Sequence, residues 1–98
     1  MTVQTAISAG AETRSLQVLY FAWVRELVGR SGETVACPAD LATVADLIGW
    51  LKTRGPEYAT AFERSELIRA AIDKTHVKPT ASIAEAREIA FFPPVTGG

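Results

Sequence analysis

The end of the chain joins two prolines to two terminal glycines, Pro93, Pro94, Gly97 and Gly98. Proline has no backbone N–H and holds φ in the extended region, so a sheet cannot continue beyond Phe92 and the chain must leave it as a stiff segment. Glycine has no Cβ, so the last two residues and the terminal carboxylate can enter a channel that is too narrow for other residues. These residue types predict a carboxyl group that is presented to another protein.

The predicted tail consists of Val95, Thr96, Gly97 and Gly98. Four extended residues reach roughly 13 Å at about 3.3 Å each, which is deep enough to enter a partner's active site. We therefore expect Gly98 to be the reactive residue, with Val95, Thr96 and Gly97 inserted beside it. Two glycines alone could also be a frayed end or the remnant of an expression tag, but the residues before them argue for a functional tail.

Two segments at opposite ends of the chain together resemble one family. The C-terminal string Phe91–Gly98, FFPPVTGG, resembles the signature of the small, sulfur-carrying subunits of molybdopterin synthase, which are ubiquitin-like proteins. Tyr20–Gly29, YFAWVRELVG, is similar to the first strand and helix of the same family. The two motifs occur in the right order and cover most of residues 16–98, so the resemblance is specific.

The resemblance implies that sulfur is carried on Gly98. A carboxylate is a poor electrophile, but an ATP-dependent adenylating (sulfurylating) enzyme would convert it to an acyl-adenylate with a good leaving group. Sulfur from a persulfide donor would then replace AMP and leave a C-terminal thiocarboxylate. The chain has no GxxxxGK[ST] loop, so we expect it to bind no cofactor of its own and ATP to be used on the activating enzyme.

The same resemblance implies a partner for the charged tail. The tail would insert into the large, catalytic subunit of molybdopterin synthase, where two sulfur transfers convert cyclic pyranopterin monophosphate into the dithiolene of molybdopterin. The large subunit would supply the substrate pocket and the cationic groups that accept the tail. This chain would then be a sulfur-donating subunit and not an enzyme on its own, and the family assembly is a heterotetramer.

Three alternatives remain open. The related sulfur carrier of thiamine thiazole synthesis shares the Gly-Gly end, although the segments quoted above favour the molybdopterin branch. A ubiquitin-like protein modifier would use the same adenylate to join Gly98 to lysines of target proteins. A plain interaction domain with an inert tail is the third alternative, because a fold alone does not fix a function.

Composition excludes several other classes. The chain has 98 residues, of which 48% are hydrophobic, and its net charge is −1, so it forms one domain and has no nucleic-acid footprint. No apolar run approaches the roughly 20 residues of a membrane span, and the N-terminus lacks the pattern of a secretory signal, which predicts a cytoplasmic protein. Cys37 and His76 are each the only residue of their type. We therefore expect no disulfide, metal site or Cys/His dyad, and Cys37 is predicted to pack in the core.

Hydrophobic periodicity predicts the elements that position the tail. Alternating residues predict three single strands and one hairpin: residues 16–21, 33–37 and 87–92, and 68–77 with its turn at Asp73-Lys74. A short helix over 24–28 should end at Gly29. The main helix should begin at Thr43 with a capping box to Asp46 and end at Gly55-Pro56.

This order of elements predicts an α+β domain with the ubiquitin-like β-grasp fold, a mixed sheet of about five strands around one main helix. We expect residues 1–15 to form a flexible N-terminal extension, residues 16–94 the domain and residues 95–98 the extended tail. The resemblance further implies that the first and last strands lie parallel and adjacent at the centre of the sheet.

The same alternation places Phe21 and Phe92 on the outer face of the sheet, beside the root of the tail. Outward aromatic residues are unusual on a solvated sheet and commonly mark a partner site, unless a loop or the N-terminal extension covers one of them. His76 would join them if Val77 points inward. The family typically has an aliphatic residue at the position of His76, so this histidine is a departure from the family pattern.

Three further residues complete the predicted partner-binding set: Pro93 and Pro94 at the tail root, and Arg25 in the family-like segment. For Arg25, an exposed ion pair with Glu26 is the simpler explanation.

Overall fold

The computed structural model of the protein describes residues 12–94. These residues form five strands: β1 (Thr13–Tyr20), β2 (Gly32–Pro38), β3 (Arg69–Ile72), β4 (Thr75–Val77) and β5 (Glu88–Phe92). They also form three α-helices and one 3₁₀ turn: α1 (Ala22–Val28), α2 (Val44–Lys52), α3 (Pro56–Ala61) and Ser65–Leu67. Within this part of the chain, no helix combines the length and apolar character that crossing a bilayer requires.

The five strands form one mixed sheet in the order β2-β1-β5-β3-β4. β1 and β5 are parallel neighbours at its centre, and each also pairs with an antiparallel partner, β2 for β1 and β3 for β5. β3 and β4 form the remaining antiparallel pair. With α2 packed on one face, this is the β-grasp arrangement, so the predicted fold and its central parallel pair are confirmed.

The core lies between the inner face of the sheet and the helices. β1 contributes Leu16, Val18 and Tyr20 to it, and β5 contributes Ile89 and Phe91, all of them buried. The apolar stripe of α2 faces the same core through four buried residues: Val44, Leu47, Ile48 and Leu51. The alternation and the helical spacing read from the sequence therefore assign the inner face correctly.

The predicted capping box at the start of α2 is present. The Asp46 backbone N–H donates to the Thr43 hydroxyl at 3.2 Å, and the Asp46 carboxylate accepts the Thr43 N–H at 3.2 Å. Gly55 and Pro56, however, do not end α2. The helix ends at Lys52, and Gly55 and Pro56 are the N-cap and first residue of α3, a position that suits proline because its missing N–H would have no partner there.

Two left-handed positions shape the turns that the sequence predicted. Gly29 ends α1 with φ 91°, and its N–H donates to the Arg25 carbonyl oxygen at 2.8 Å. Asp73 and Lys74 both have positive φ, 47° and 76°, as a tight turn between antiparallel strands requires. The predicted hairpin from β3 to β4 is therefore confirmed.

The N-terminal boundary of the domain differs from the prediction. β1 begins at Thr13, so residues 13–15, predicted to belong to the extension, pair with β2 instead. The Arg14 guanidinium also donates to the carbonyl oxygens of Ile83 and Ala86. Thr13 and Ser15 face outward and give no apolar alternation, which is why the pattern missed them. The flexibility predicted for residues 1–11 lies outside the described residues.

Candidate functional site

The outer face of the sheet carries a continuous row of residues across four strands that contains no aspartate, glutamate, lysine or arginine. Leu19 of β1 is opposite Ala90 of β5, Ala90 is opposite Ala71 of β3, and Ala71 is opposite His76 of β4. Ala71 and Ala90 are small and nearly covered by their neighbours, yet they lie outside the core cluster. They form the floor of a shallow apolar surface.

Two aromatic side chains border this row at the tail end of the sheet. Phe92 is half-buried, and its ring lies 5.1 Å from the His76 imidazole, measured between centroids. Phe21 is 46% exposed, the highest value among the large hydrophobic residues of the described chain. We call the surface formed by these six residues the outer patch: Leu19, Phe21, Ala71, His76, Ala90 and Phe92.

The backbone places Phe21 beside the point where the tail leaves the sheet. The Phe21 N–H donates to the Phe91 carbonyl oxygen at 3.0 Å, which continues the central parallel pair by one bond. Ala22 follows with φ 54°, a left-handed conformation that costs a non-glycine residue roughly 1 kcal/mol and turns the chain sharply into α1. Phe21 is thus held outward at the same edge from which Pro93 and Pro94 emerge.

The predicted partner-binding residues therefore fall into two groups. Phe21, His76 and Phe92 share the outer patch, and half-buried Pro93 and Pro94 directly follow β5. Arg25 is exposed on α1, one turn after Phe21, and has no ion pair within residues 12–94, so the simple ion-pair explanation is not supported there. The predicted tail, Val95 to Gly98, lies outside the described residues.

The sequence reasoning did not assign Leu19, Ala71 or Ala90 to the partner surface. Alternation along β1 and β5 places Leu19 and Ala90 on the outer face, but only an outward aromatic residue there signals a partner site. An alanine is so small that its presence in a strand does not by itself indicate a partner surface. Its significance comes from the register, which places Ala71 and Ala90 side by side at the middle of the sheet.

A polar cluster, which the sequence did not predict, lies on the inner side around Glu33. The Glu33 side chain is only 11% exposed. Its carboxylate accepts hydrogen bonds from four side chains. Its Oε2 accepts from the hydroxyls of Tyr20 and Tyr58 at 2.8 and 2.6 Å and from Arg54 at 3.0 Å, and its Oε1 accepts from Arg30 at 3.1 Å. The Arg54 guanidinium also lies 4.9 Å from the centre of the Tyr58 ring.

The pKa values of this cluster follow from burial and pairing. Burial alone would raise the pKa of Glu33, but the hydrogen bonds from Tyr58 and Tyr20 and the charge of Arg54 lower it below its usual value. Burial is also the main reason that the pKa values of Tyr20 and Tyr58 are raised, and their bonds to the Glu33 carboxylate raise them further. With both carboxylate oxygens occupied, the cluster ties β2 to β1, to α3 and to the turn between α2 and α3, which is a structural role.

Cys37 is fully buried in the core cluster, so its predicted packing role is confirmed. Burial raises the pKa of its thiol, and the nearby Arg14 charge and a backbone hydrogen bond offset that only in part. A thiol with a raised pKa and no solvent access is a poor nucleophile. The site chemistry therefore does not depend on this side chain.

Comparison with known proteins agrees with the β-grasp fold. Residues 18–98 match the ThiS family. The chain is 42% identical over 83 residues to the molybdopterin synthase sulfur carrier subunit of Escherichia coli, covering 85% of this chain and 99% of that protein.

Two solved structures are similar over nearly their whole length. SAMP1 of Haloferax volcanii has 26% identity and a TM-score of 0.65, with 87% of this chain and 100% of that chain covered. A putative molybdopterin converting factor, subunit 1, of Pyrococcus furiosus has the same identity and TM-score, with 83% and 98% covered.

Proposed function

Because the chain belongs to the ThiS family, and its Escherichia coli relative is a molybdopterin synthase sulfur carrier subunit, we propose that it carries sulfur for molybdenum cofactor biosynthesis. The observation that most supports this role is the position of the outer patch. It ends at Phe21 and Phe92, at the edge where Pro93 and Pro94 leave the sheet. A partner that covers the patch therefore receives the tail from the same direction.

The proposed chemistry takes place at the Gly98 carboxyl group. An adenylating enzyme uses ATP to form the Gly98 acyl-adenylate, and the sulfur of a persulfide donor attacks the carbonyl carbon. The C–O bond to AMP breaks and an acyl disulfide forms; a thiol then cleaves its S–S bond, which leaves a disulfide on the donor and a thiocarboxylate on Gly98. The thiocarboxylate sulfur then displaces an oxygen substituent from a carbon of cyclic pyranopterin monophosphate, and water cleaves the resulting thioester, leaving sulfur on the substrate and a carboxylate on Gly98.

The described residues contribute binding and orientation to this cycle. Among the six residues of the outer patch, only His76 has a polar side chain, and the others are apolar. This surface suits an apolar face of the large synthase subunit, which would supply the substrate pocket and the cations that neutralise the tail. The rigid pairing of β5 between β1 and β3 fixes the direction in which Pro93 and Pro94 project.

An intact-mass measurement of the protein isolated from its own cells tests the carrier role. We expect a fraction of the free protein to be heavier by one oxygen-to-sulfur exchange, and this fraction to be lost when the adenylating enzyme is deleted. A variant that lacks Gly98 is the matched control and should show no such exchange. If the exchange is absent in wild-type cells that make molybdenum cofactor, the carrier role is wrong.

A protein-modifier role is the second candidate, and the similarity to SAMP1, a small archaeal modifier protein, favours it. Both roles would begin with the same adenylate. The modifier role predicts Gly98-linked conjugates of higher mass in cell extracts, resistant to thiol reagents. The higher identity to the Escherichia coli sulfur carrier, 42% against 26%, is the reason that we place the carrier role first.

The outer patch makes a specific prediction about two neighbouring phenylalanines. We expect Phe92→Arg to weaken binding to the large subunit by more than about tenfold, because a guanidinium would replace an apolar contact beside the root of the tail. Its effect on the melting temperature should be small, since the Phe92 side chain is half-exposed. Calorimetric titration and thermal denaturation of the same samples measure the two quantities.

Phe91→Ala is the contrasting variant. Phe91 is fully buried and lies against the Phe62 ring at 5.1 Å between centroids, so its truncation should lower the free energy of unfolding by about 3 to 5 kcal/mol. A large loss of melting temperature for Phe92→Arg, with unchanged binding, would contradict the assignment of Phe92 to the partner surface.

A further inference from the structure

A cavity opens next to the tail end of the outer patch, on the helix side of the β3–β4 hairpin. Its volume is about 220 Å³. Its apolar floor is formed by the first half of α2 and by β3 and β4, through Val44, Ile48, Ala70 and Val77. Ile48 and Ala70 keep 8% and 6% exposure, whereas Leu47 and Leu51 on the same helix keep none. The core is therefore open at this place.

Two cationic side chains at the rim connect this cavity to the outer patch. Arg69 lines the cavity and is opposite Phe92 in the β3–β5 pairing. Lys78 also lines the cavity. Because Ala70 pairs with Val77 in the antiparallel hairpin, Arg69 and Lys78 are neighbours at the end of that pair. A partner that covers Phe92 therefore meets Arg69 next, and then Lys78.

The charges at this rim are unbalanced. Arg69 and Lys78 are both exposed, and neither forms an ion pair within residues 12–94. The Arg69 guanidinium donates to the Glu66 carbonyl oxygen at 3.3 Å. The Glu66 side chain is the one carboxylate among the lining residues. An apolar cavity with this rim suits a segment that carries an apolar side chain beside acidic groups.

We propose that the protein that docks on the outer patch extends past Phe92 and places an apolar side chain in this cavity, with neighbouring carboxylates paired to Arg69 and Lys78. This inference rests on the proposed function, because it gives the large subunit a second point of attachment. Charge argues against the chain's own N-terminal segment as the occupant, since residues 1–11 contain no aspartate or glutamate.

Charge reversal tests the proposal while all six residues of the outer patch stay unchanged. We expect the double variant Arg69→Glu, Lys78→Glu to bind the large subunit about tenfold more weakly at low ionic strength, because like charges would then face each other. Its binding should also lose most of its salt dependence. The matched control is Lys52→Glu, Arg64→Glu, which reverses two exposed cations that do not line the cavity and should change affinity less than about twofold.

Amide chemical shifts of the wild-type chain, titrated with the large subunit, give a second readout. We expect Ser65, Ile68 and Val77, which line the cavity, to shift together with Phe92. Unchanged affinity of the double variant, with unshifted cavity amides, would overturn the proposal. Loss of self-association in the double variant, with normal binding of the large subunit, would also overturn it, because the occupant would then be a second copy of this chain.

The two proposals fail in different ways. If Phe92→Arg abolishes binding and the double variant does not, only the cavity proposal is wrong. If neither variant changes binding of the large subunit, the docking surface assigned under the proposed function is wrong as well.

Discussion

Deletion of Gly98, or addition of one glycine after it, is expected to abolish sulfur transfer while the domain stays folded. One extended residue changes the position of the terminal carbonyl by about 3.3 Å. A displacement of about 1 Å in an active site can already lower a rate about 100-fold. Because β5 and the two prolines fix where the tail begins, the chain cannot compensate by sliding. Single-turnover transfer to the precursor, with the purified large subunit, measures the loss.

The control for this experiment is a variant with one glycine inserted after Met1. It has the same composition as the lengthened tail but leaves the C-terminus intact, and it should transfer sulfur at the wild-type rate. Thermal denaturation of all three variants should give the same midpoint. Full activity of either tail variant would refute a mechanism in which the terminal carbonyl carries the sulfur.

The second large effect is expected at Glu33. Glu33→Gln should lower the free energy of unfolding by about 2 to 3 kcal/mol, because hydrogen bonds to a charged acceptor are among the strong ones and Tyr20, Tyr58 and Arg54 all lose theirs in part. For a domain of this size, the melting temperature should fall by roughly 10 °C or more. Urea denaturation followed by circular dichroism measures the free energy.

Glu85→Gln is the matched control, since it makes the same chemical change at an exposed position and should alter stability by less than about 0.5 kcal/mol. The pH dependence adds a further test. The pKa of Glu33 is lower in the folded chain, so its contribution is complete above the unfolded value near about 4.3 and is lost as the pH falls through the folded value.

The stability difference between wild type and Glu33→Gln should therefore shrink in acid. At the alkaline side, the raised pKa values of Tyr20 and Tyr58 mean that their contribution is complete below the unfolded value and is lost as the pH rises beyond about 10. Equal stability of the two proteins at neutral pH would show that the cluster does not hold the domain together.

Local patterns in the sequence predict the elements of this fold well. The capping box of Thr43 and Asp46, the left-handed Gly29 and the Asp73-Lys74 turn each depend on a few adjacent residues, so their physics is visible in the chain itself. The alternation in β1 and β5 likewise separates inner from outer residues. These features, with the order of elements, are sufficient for the β-grasp fold.

Features that depend on residues far apart in the chain escaped the prediction. The Glu33 cluster joins four segments, and no spacing in the sequence marks it. Ala71 and Ala90 become part of a surface only through the register of β3 and β5. Gly55 and Pro56 illustrate a different difficulty, because the same pair can end one helix or begin the next, and only the packing of α3 decides between them.

The central position of β5 also has a mechanical consequence. Force applied to the tail acts along β5, and four residue pairs join this strand to β1, which runs parallel to it. A pull between the C-terminus and the start of β1 would load these hydrogen bonds together in shear, whereas the edge strands would open one bond at a time. The domain should therefore resist mechanical unfolding when it is pulled by its C-terminus.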